Sequence, residues 1–506
     1  MFDITTYTQW VKKNIRLKDV FLYGIILLLF FASRVVRLDK FPIFTDEGIY
    51  IRWAKIAWHD ANWRFISLTD GRQPLQTWVT IPFLRFFPNN MLFAGRLFAV
   101  LSGFFTLSGL IVLAYYLFGK KASFIAGLLY ILTPFFLFYD RLALVDSAVN
   151  AGFVWSLFFL ILLGRTLRLD VAIIYGLTAG IALLTKSSSR LFVGIGIFTP
   201  VLFIKKGSRG LGKKLLNFYI LYGLSALLAL AIYNIQRLSP FFHFVDEKNK
   251  TFVMTFSQFL QTPFMRFPVN IWLIPYFIFS ESGYVLCFLG LVGLFMLFKK
   301  DWQLAAYFLL WILVPYTAIS FFAIVVYPRY LIFIVTLLLL LATYLFTHVK
   351  KNVFIISSIL FLLSVAYFDY TILFAMNKIP LPPVDRGQYI EGISAGTGVR
   401  EIVEYAREHS IDKPVVLVAE GNFGVVGDML EASLRSTDRI TIKGYWPLDE
   451  KNLVENQPLV KENHVYVVFS HRTEFPGIWP ITKIQTYEKP GGTSSFALFE
   501  LKPKER

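Results

Sequence analysis

The sequence predicts a polytopic α-helical membrane protein of about 11 transmembrane helices, with a small extracytoplasmic C-terminal α/β domain. Three observations lead to this prediction. The 506 residues are 56% hydrophobic and 16% charged, with a mean hydropathy of +0.58, whereas a soluble domain is about 45–50% apolar and about 25% charged. Apolar stretches of spanning length recur until about Met376. Beyond that point, Pro-rich, charged and β-branched segments replace them.

This composition excludes a soluble enzyme, a disordered chain and a disulfide scaffold. The single cysteine, Cys287, lies in an apolar run, where it is predicted to be a small buried hydrophobe. The formal net charge of +17 would suit a nucleic-acid partner, but many Lys and Arg residues lie in short clusters between apolar runs. That placement is typical of the cytoplasmic loops of a membrane protein. We therefore expect no nucleic-acid partner.

A transmembrane helix needs roughly 20 mostly apolar residues. By that rule the predicted helices lie at 19–36, 92–118, 122–139, 147–164, 171–185, 190–204, 216–235, 283–298, 303–326, 330–347 and 353–375. The stretches 171–185 and 190–204 are short, and 269–280 is either a further span or a re-entrant segment. The first stretch is predicted to be an uncleaved anchor, because no small-residue cleavage site follows it.

A cytoplasmic N-terminus places every basic cluster between the spans on one side of the membrane. These clusters are the pairs at 120–121, 205–206, 213–214, 299–300 and 350–351, which join Lys12, Lys13, Arg16 and Lys18 of the N-terminus. The outer side then receives the loops 37–91 and 236–282, the turns 140–146, 186–189 and 327–329, and the C-terminal region. We expect a membrane domain at 1–377 in a prokaryotic plasma membrane, because the chain is compact and carries no retention signal.

Residues 378–506 are predicted to form the soluble domain. A Pro-rich linker at 379–383 leads into it, and such a segment is a stiff spacer. The predicted elements are a helix within 392–407, a short helix at about 428–435 and strands at 414–419, 439–444, 464–470 and 494–501. The glycines at 421, 424 and 427 do not match a dinucleotide-binding motif, which favours tight turns.

An acidic pair, Asp46-Glu47, lies in the first outer loop at the start of a predicted interfacial helix. Two interpretations stay open. With Thr45 as the N-cap, the carboxylates would stabilise the first helical turn. Alternatively, one carboxylate is a general base at the membrane surface, and interfacial burial raises its pKa toward the working pH.

Outer cations form the second group of candidates. They are Arg72, which closes the first outer loop, Lys186 and Arg190 between the fifth and sixth spans, and Arg329, which is followed by Tyr330. Cations on the outer side oppose the positive-inside bias and suit an anionic partner such as a lipid-linked phosphate. The structural alternative is that these long side chains reach the interface without binding a ligand.

The turn Arg141-Leu142-Ala143-Leu144-Val145-Asp146 contributes one cation and one carboxylate to the same face. Asp146 begins a predicted helix, so helix capping is the alternative to substrate binding. The isolated His59 and His243 do not indicate a metal site, and no phosphate-binding loop or hydrolase motif is present.

Taken in order, these motifs resemble the GT-C superfamily of integral membrane glycosyltransferases, in particular the protein O-mannosyltransferase and lipid A aminoarabinose transferase types. The matching pieces are Asp46-Glu47 with Tyr50, Pro74-Leu75 with Trp78, Arg141 to Asp146, Leu184-Thr185-Lys186 and Arg329-Tyr330-Leu331. The C-terminal domain has no matching motif.

The resemblance implies transfer of a sugar from a polyprenyl-phosphate carrier to an extracytoplasmic lipid, glycan or protein acceptor, with inversion at the anomeric carbon. It implies that Asp46 of the acidic pair is the base and that Lys186 faces the carrier phosphate. Many relatives have His or Lys, often followed by two prolines, where this chain has Arg72-Gln73-Pro74-Leu75, which leaves open the residue that meets the donor there. No cofactor is predicted, and a divalent metal stays open because relatives differ in metal use.

Two other functions compete with this hypothesis. A transporter or flippase of a lipid-linked sugar predicts mid-membrane charges and paired halves with broken helices. The sequence shows few such charges and no halves, although the short spans within 171–204 leave room for it. A non-catalytic scaffold would explain the C-terminal domain, but it would not explain the grouped outer acids and cations.

Overall fold

The computed structural model describes residues 16–204, 210–421, 423–424 and 426–504. The α-helices up to residue 374 are Leu17–Val35, Thr45–His59, Leu75–Phe86, Met91–Phe118, Lys120–Leu132, Pro134–Tyr139, Asp146–Thr166, Leu169–Leu183, Arg190–Ile195, Leu211–Tyr233, Phe244–Phe252, Phe256–Gln261, Phe267–Ser282, Tyr284–Lys300, Trp302–Phe322, Ile332–His348 and Lys351–Phe374. Each predicted span falls on one of these helices or on two consecutive helical segments. The predicted cytoplasmic cations Lys12, Lys13, Lys205 and Lys206 lie outside the described residues.

The protein is an integral membrane protein with at least six helical segments of spanning length and hydropathy in its described part. They are Met91–Phe118, Asp146–Thr166, Leu211–Leu238, Trp302–Phe322, Pro328–His348 and Lys351–Phe374. A further candidate is the pair Phe267–Ser282 and Tyr284–Lys300, which is bent by 112° and includes the predicted stretch 269–280.

The count of about 11 crossings stays a prediction, because several predicted spans form short or broken helices. The predicted span 122–139 is divided at Thr133, where Pro134 begins a new helix. The predicted span 190–204 consists of one short α-helix and the tighter 3₁₀ segment Gly196–Leu202, which contains Pro200. Proline interrupts the hydrogen-bond ladder of a helix, which accounts for both breaks.

The segment Pro328–His348 lies at the centre of the helical bundle, with 89% of its most apolar window buried. Glycines allow the Tyr284–Lys300 helix to approach it closely. A Cβ atom added to Gly293 would lie 2.1 Å from the Leu341 carbonyl oxygen. Small residues at such a contact are typical of membrane helix pairs.

The C-terminal domain is a five-stranded mixed sheet with strand order β2-β1-β3-β5-β4. Its strands are β1 Val415–Glu420, β2 Ile440–Tyr445, β3 His464–Phe469, β4 Ile481–Glu488 and β5 Ser495–Leu501, and its α-helices are Pro383–Arg386, Val399–His409, Val426–Ala432 and Glu450–Asn456. β1 pairs in parallel with β2 and β3, and β5 pairs antiparallel with β3 and β4. The sequence did not predict β4, because this edge strand is mostly polar and none of its residues is fully buried.

This domain packs against the Thr45–His59 helix. The backbone N–H and the hydroxyl of Thr45 each donate to the Ser394 carbonyl oxygen at 3.0 Å. Arg52 Nη1 lies 3.0 Å from Asp428 Oδ1, and a Cβ atom added to Gly48 would lie 3.0 Å from the Asp428 backbone. The helix that begins with the acidic pair is therefore held between the membrane domain and the sheet domain.

Candidate active site

A cavity of about 890 Å³ lies where the segments that were predicted to be on the outer side meet. Of the site residues predicted from the sequence, Asp46, Arg72, Asp146, Lys186, Arg190, Arg329 and Tyr330 line this cavity. Glu47 and Arg141 are not among the lining residues. The structure thus brings together residues from four separate segments that were predicted to be on the outer side, and it separates the two members of the acidic pair.

Asp46 faces the cavity from the first turn of its helix, where it meets two arginines. Arg72 Nη2 donates to Asp46 Oδ1 at 3.1 Å, and Arg329 Nη2 lies 3.9 Å from Asp46 Oδ2. Arg72 is itself fixed by Asp70, which accepts from its Nε at 2.9 Å. The Asp46 side chain is 22% exposed, so a substrate in the cavity can reach it.

Burial raises the pKa of the Asp46 carboxyl, but the charges of Arg72 and Arg329 lower it by more, so the net pKa lies below the ordinary value. The expectation that interfacial burial brings this pKa up toward the working pH is therefore wrong in sign. The pKa is lowered because the cations Arg72 and Arg329 stabilise the ionised form of Asp46. Asp46 is a carboxylate at neutral pH.

Asp146, Lys186 and Arg329 form a second charged group in the cavity. Lys186 Nζ lies 2.8 Å from Asp146 Oδ1, and Arg329 Nε lies 3.8 Å from Asp146 Oδ2. Tyr330 packs under the lysine, with 3.9 Å between Nζ and the ring centroid. Burial lowers the pKa of Lys186 in spite of its Asp146 partner. Arg329 lies between the two carboxylates and links both groups.

Arg190 lies where the charged part of the cavity meets an apolar part. Its guanidinium donates to the Tyr233 hydroxyl at 2.5 Å. Beyond it, the cavity continues between two membrane helical segments, lined by Leu191, Gly194, Ile195, Phe198, Val314, Ala318, Ile319 and Phe322. One cavity is therefore lined both by charged side chains and by apolar side chains of two helical segments.

Glu47 lies one residue from Asp46 on the helix but points into the protein, where it is fully buried. Arg96 donates to both carboxylate oxygens, from Nε at 2.8 Å and from Nη2 at 2.7 Å. The backbone N–H groups of Phe44 and Ala143 donate to the same carboxylate. Glu47 thus caps its own helix and joins three segments, which assigns it to positioning and not to contact with the cavity.

Arg141 also holds other parts of the chain in position. Its Nη1 donates to the carbonyl oxygens of Ser33 and Arg34 at 2.8 and 2.9 Å, and its Nη2 donates to that of Arg37 at 3.2 Å. It therefore satisfies carbonyl groups at the end of the first helix. The structure places the Arg141 side chain on these backbone carbonyl groups, and its contact with substrate stays a prediction.

Other polar residues line the cavity without having been predicted as site residues. Among them are Tyr50, Lys248, Gln388 and Ser394. Lys248 belongs to a charged helix of the second outer loop and pairs with Asp70 at 2.7 Å. Nothing in the local sequence distinguishes it from a solvated lysine. Gln388 and Ser394 come from the region assigned to the soluble domain, so local motifs could not connect them with the site.

The cavity is electropositive. Five cations line it, namely Arg72, Lys186, Arg190, Lys248 and Arg329, against the two carboxylates Asp46 and Asp146. Such a set suits an anion, and arginine in particular suits a phosphate. In the part of the chain that the structure describes, no three His, Cys, Asp or Glu side chains lie close enough together to hold a metal ion.

Comparisons with known proteins place this geometry in context. A family model described as dolichyl-phosphate-mannose-protein mannosyltransferase matches residues 72–234. Curated protein sequences give no match.

Three solved structures share the fold. ArnT from Cupriavidus metallidurans in the apo state has a TM-score of 0.62 at 14% identity, over 98% of both chains. The same protein bound to undecaprenyl phosphate has a TM-score of 0.61 at 15% identity, over 95% of this chain and 97% of that one. The Archaeoglobus fulgidus oligosaccharyltransferase in complex with Zn and sulfate has a TM-score of 0.50 at 13% identity, over 89% and 68%. The chain therefore has a GT-C fold, and the predicted resemblance to the GT-C membrane glycosyltransferases is confirmed.

Proposed function

We propose that the protein is a membrane glycosyltransferase that moves a sugar from a polyprenyl-phosphate carrier to an acceptor outside the cytoplasm. The observation that carries this proposal is that one cavity is lined both by several cations and by many apolar side chains. A polyprenyl phosphate has the matching chemistry, since an anionic head is joined to a long apolar chain. ArnT, which shares the fold, was solved with undecaprenyl phosphate bound.

The cations are assigned to the phosphate. Arg72, Lys186 and Arg329 already hold carboxylates in the cavity, and a phosphate can compete for them. Arg190 donates to a neutral tyrosine hydroxyl, so it keeps a full charge for the donor. As the bond between the sugar and the phosphate breaks, negative charge grows on the leaving oxygen, and preorganised cations stabilise that charge.

Asp46 is assigned as the general base. The acceptor oxygen forms a bond to the anomeric carbon, its proton goes to the Asp46 carboxylate, and the lipid phosphate leaves with the electron pair of the broken bond. Attack from the face opposite the phosphate inverts the configuration. Because a bound phosphate draws Arg72 and Arg329 away from Asp46, donor binding raises the proton affinity of the base when it is needed.

A transfer assay tests the proposal. Purified protein in lipid nanodiscs is incubated with labelled polyprenyl-phosphate sugars and a cell extract as acceptor source, and free polyprenyl phosphate is measured. We expect release by wild type and a loss of roughly 10²–10⁴-fold for Asp46→Asn. The matched control is Asp246→Asn, which changes an aspartate whose side chain is 73% exposed and should keep full activity.

Two results would contradict the proposal. Full activity of a folded Asp46→Asn protein would remove the assigned base. Movement of the labelled lipid across liposomes without cleavage would favour the transporter or flippase alternative. The anomeric configuration of the product, compared with that of the donor by NMR, tests inversion separately.

A further inference from the structure

Three buried oxygen-bearing side chains meet behind the cavity and have no part in the proposed reaction. Tyr139 precedes the outer turn 140–146, Glu281 lies just before the bend between two helices, and Asp385 follows the last span. Tyr139 and Glu281 are each 1% exposed, and Asp385 is 0% exposed. Segments that are distant in the sequence therefore meet at one buried point.

The hydrogen bonds of this cluster require an additional proton. The Tyr139 hydroxyl lies 3.0 Å from Glu281 Oε2 and also bonds to Asp385 Oδ2. A phenol has one hydrogen to donate and an ionised carboxylate has none, so Tyr139 satisfies at most one of the two carboxylates. Glu281 Oε1 and Asp385 Oδ1 are buried and have no hydrogen-bond partner among the described residues. Two adjacent buried carboxylates are not both ionised, so at least one is protonated.

The cluster connects to the cavity through the segment 385–389. Three residues after Asp385, Gln388 Oε1 accepts from Arg329 Nη1 at 2.5 Å, and the Tyr389 hydroxyl accepts from the same atom at 2.7 Å. Tyr389 is buried, and its ring packs 4.8 Å from that of Phe44. One end of this short segment thus belongs to the proton-holding cluster, and the other end fixes the arginine that lies between Asp46 and Asp146.

We propose that Tyr139, Glu281 and Asp385 form a proton-dependent latch that positions Arg329 for the donor phosphate through the segment 385–389. The latch rests on the proposed function, because it assigns the phosphate to Arg329. Loss of the shared proton would add a negative charge at the latch, which draws the Arg329 guanidinium toward it and away from the phosphate.

The surroundings of the latch support this coupling. Burial raises the pKa of Asp385, so the proton is kept at a pH at which an exposed aspartate has lost it. The charged and titratable groups that act on the two carboxyls from neighbouring elements are Arg329 and Asp146, and Tyr327 and Tyr389 also face Asp385. Arg329 is the cation among them, so it responds to a change of charge at the latch.

Infrared spectroscopy tests whether the cluster holds a proton, and it requires no substrate. The C=O stretch of a protonated carboxyl is separate from the bands of carboxylates. We expect such a band in the wild type at neutral pH, a smaller band in the double variant Glu281→Gln/Asp385→Asn, and an unchanged band in the control Asp246→Asn. Identical spectra for the wild type and the double variant would overturn the latch. Because no donor is present, this result is independent of the proposed function.

Phosphate binding tests the coupling. Binding of polyprenyl phosphate to the nanodisc protein is measured between about pH 6 and about pH 9, and we expect it to weaken about tenfold in the wild type. Asp385→Asn, whose amide mimics the protonated carboxyl, should make this decline smaller, and the part that remains is assigned to the titration of Lys186, whose pKa is lowered by burial. Folding is checked by thermal unfolding. Tyr389→Phe removes one acceptor of Arg329 and should weaken binding at every pH with the decline retained.

The outcomes of the two tests are distinguishable. An equal decline in the wild type and in Asp385→Asn would overturn the positioning role, whatever the infrared result. Absence of polyprenyl phosphate binding at every pH would refute the proposed function and the coupling together, whereas the infrared band would still decide whether the cluster holds a proton.

Discussion

Arg72 Nη2 donates to Asp46 Oδ1 at 3.1 Å, so the candidate base is neutralised by a residue that is also assigned to the donor. The guanidinium cannot drift freely, because Asp70 holds its Nε and the Tyr50 ring lies 5.1 Å from its centre. This relationship makes the charge state of Asp46 depend on what Arg72 binds.

The pH profile of Arg72→Gln follows from this contact. Asp46 acts as a base only when ionised, and its pKa is lowered, so activity of the free wild-type enzyme should be lost only below the ordinary titration range of an aspartate. Removing the Arg72 charge raises that pKa, so the acid limb of kcat/KM should move to higher pH. An acid limb at the same pH in wild type and Arg72→Gln would show that Asp46 does not control it.

Lys186→Arg should extend donor binding to higher pH. The pKa of Lys186 is lowered by burial, so the cation is lost as the pH rises through that lowered value, and the KM for the donor rises with it. Arginine keeps its charge over this range. The measurement is the KM for the polyprenyl-phosphate sugar against pH. A rise in KM at the same pH in both proteins would exclude Lys186 as its cause.

Glu47→Gln should reduce stability. Arg96 is fully buried, and without its partner it is an uncompensated charge, for which a loss of about 3–5 kcal/mol of unfolding free energy is typical. Glu247→Gln changes an exposed glutamate of the second outer loop and is the matched control. Thermal unfolding in nanodiscs compares the two. If Glu47→Gln kept the wild-type melting temperature and lost activity, Glu47 would have a chemical role.

Gly48→Ala should disturb the contact between the two domains. The new Cβ would lie 3.0 Å from the Asp428 backbone, and overpacking of this kind costs about 1–3 kcal/mol. Gly24→Ala adds the same methyl group where nothing lies within 4 Å. The contact between the two domains is measured by limited proteolysis of the 379–383 linker and by transfer activity. Equal proteolysis of Gly48→Ala and Gly24→Ala would mean that the close contact between Gly48 and Asp428 does not hold the two domains together.

Much of the fold follows from local sequence, because hydropathy and proline positions act locally. Each predicted span therefore falls on helix, and the breaks fall at Thr133-Pro134 and near Pro200. Strand β4 was missed because an exposed edge strand has little hydrophobic pattern to detect.

Most of the charged residues that line the cavity were predicted from the sequence. Which of them pair with one another was not predicted. Asp46 and Glu47 are adjacent acids in a helix, so they point in directions about 100° apart, and the sequence does not say which one faces the cavity. The answer depends on Arg96, which lies 49 residues further along the chain. An arginine inside a membrane span is itself a signal of a buried partner. By contrast, Lys248 and Gln388 reach the cavity only through tertiary packing.

The hydrogen bonds from Thr45 to Ser394 join positions that are 349 residues apart. The first turn of the acidic helix is thereby completed by a segment that is synthesised after all the predicted spans. A ribosome-bound intermediate that lacks residue 394 cannot have finished the site, so catalytic competence should arise only after this residue has been synthesised. In chimeras with relatives, the Thr45–His59 helix and the domain that follows the last span should be exchanged together.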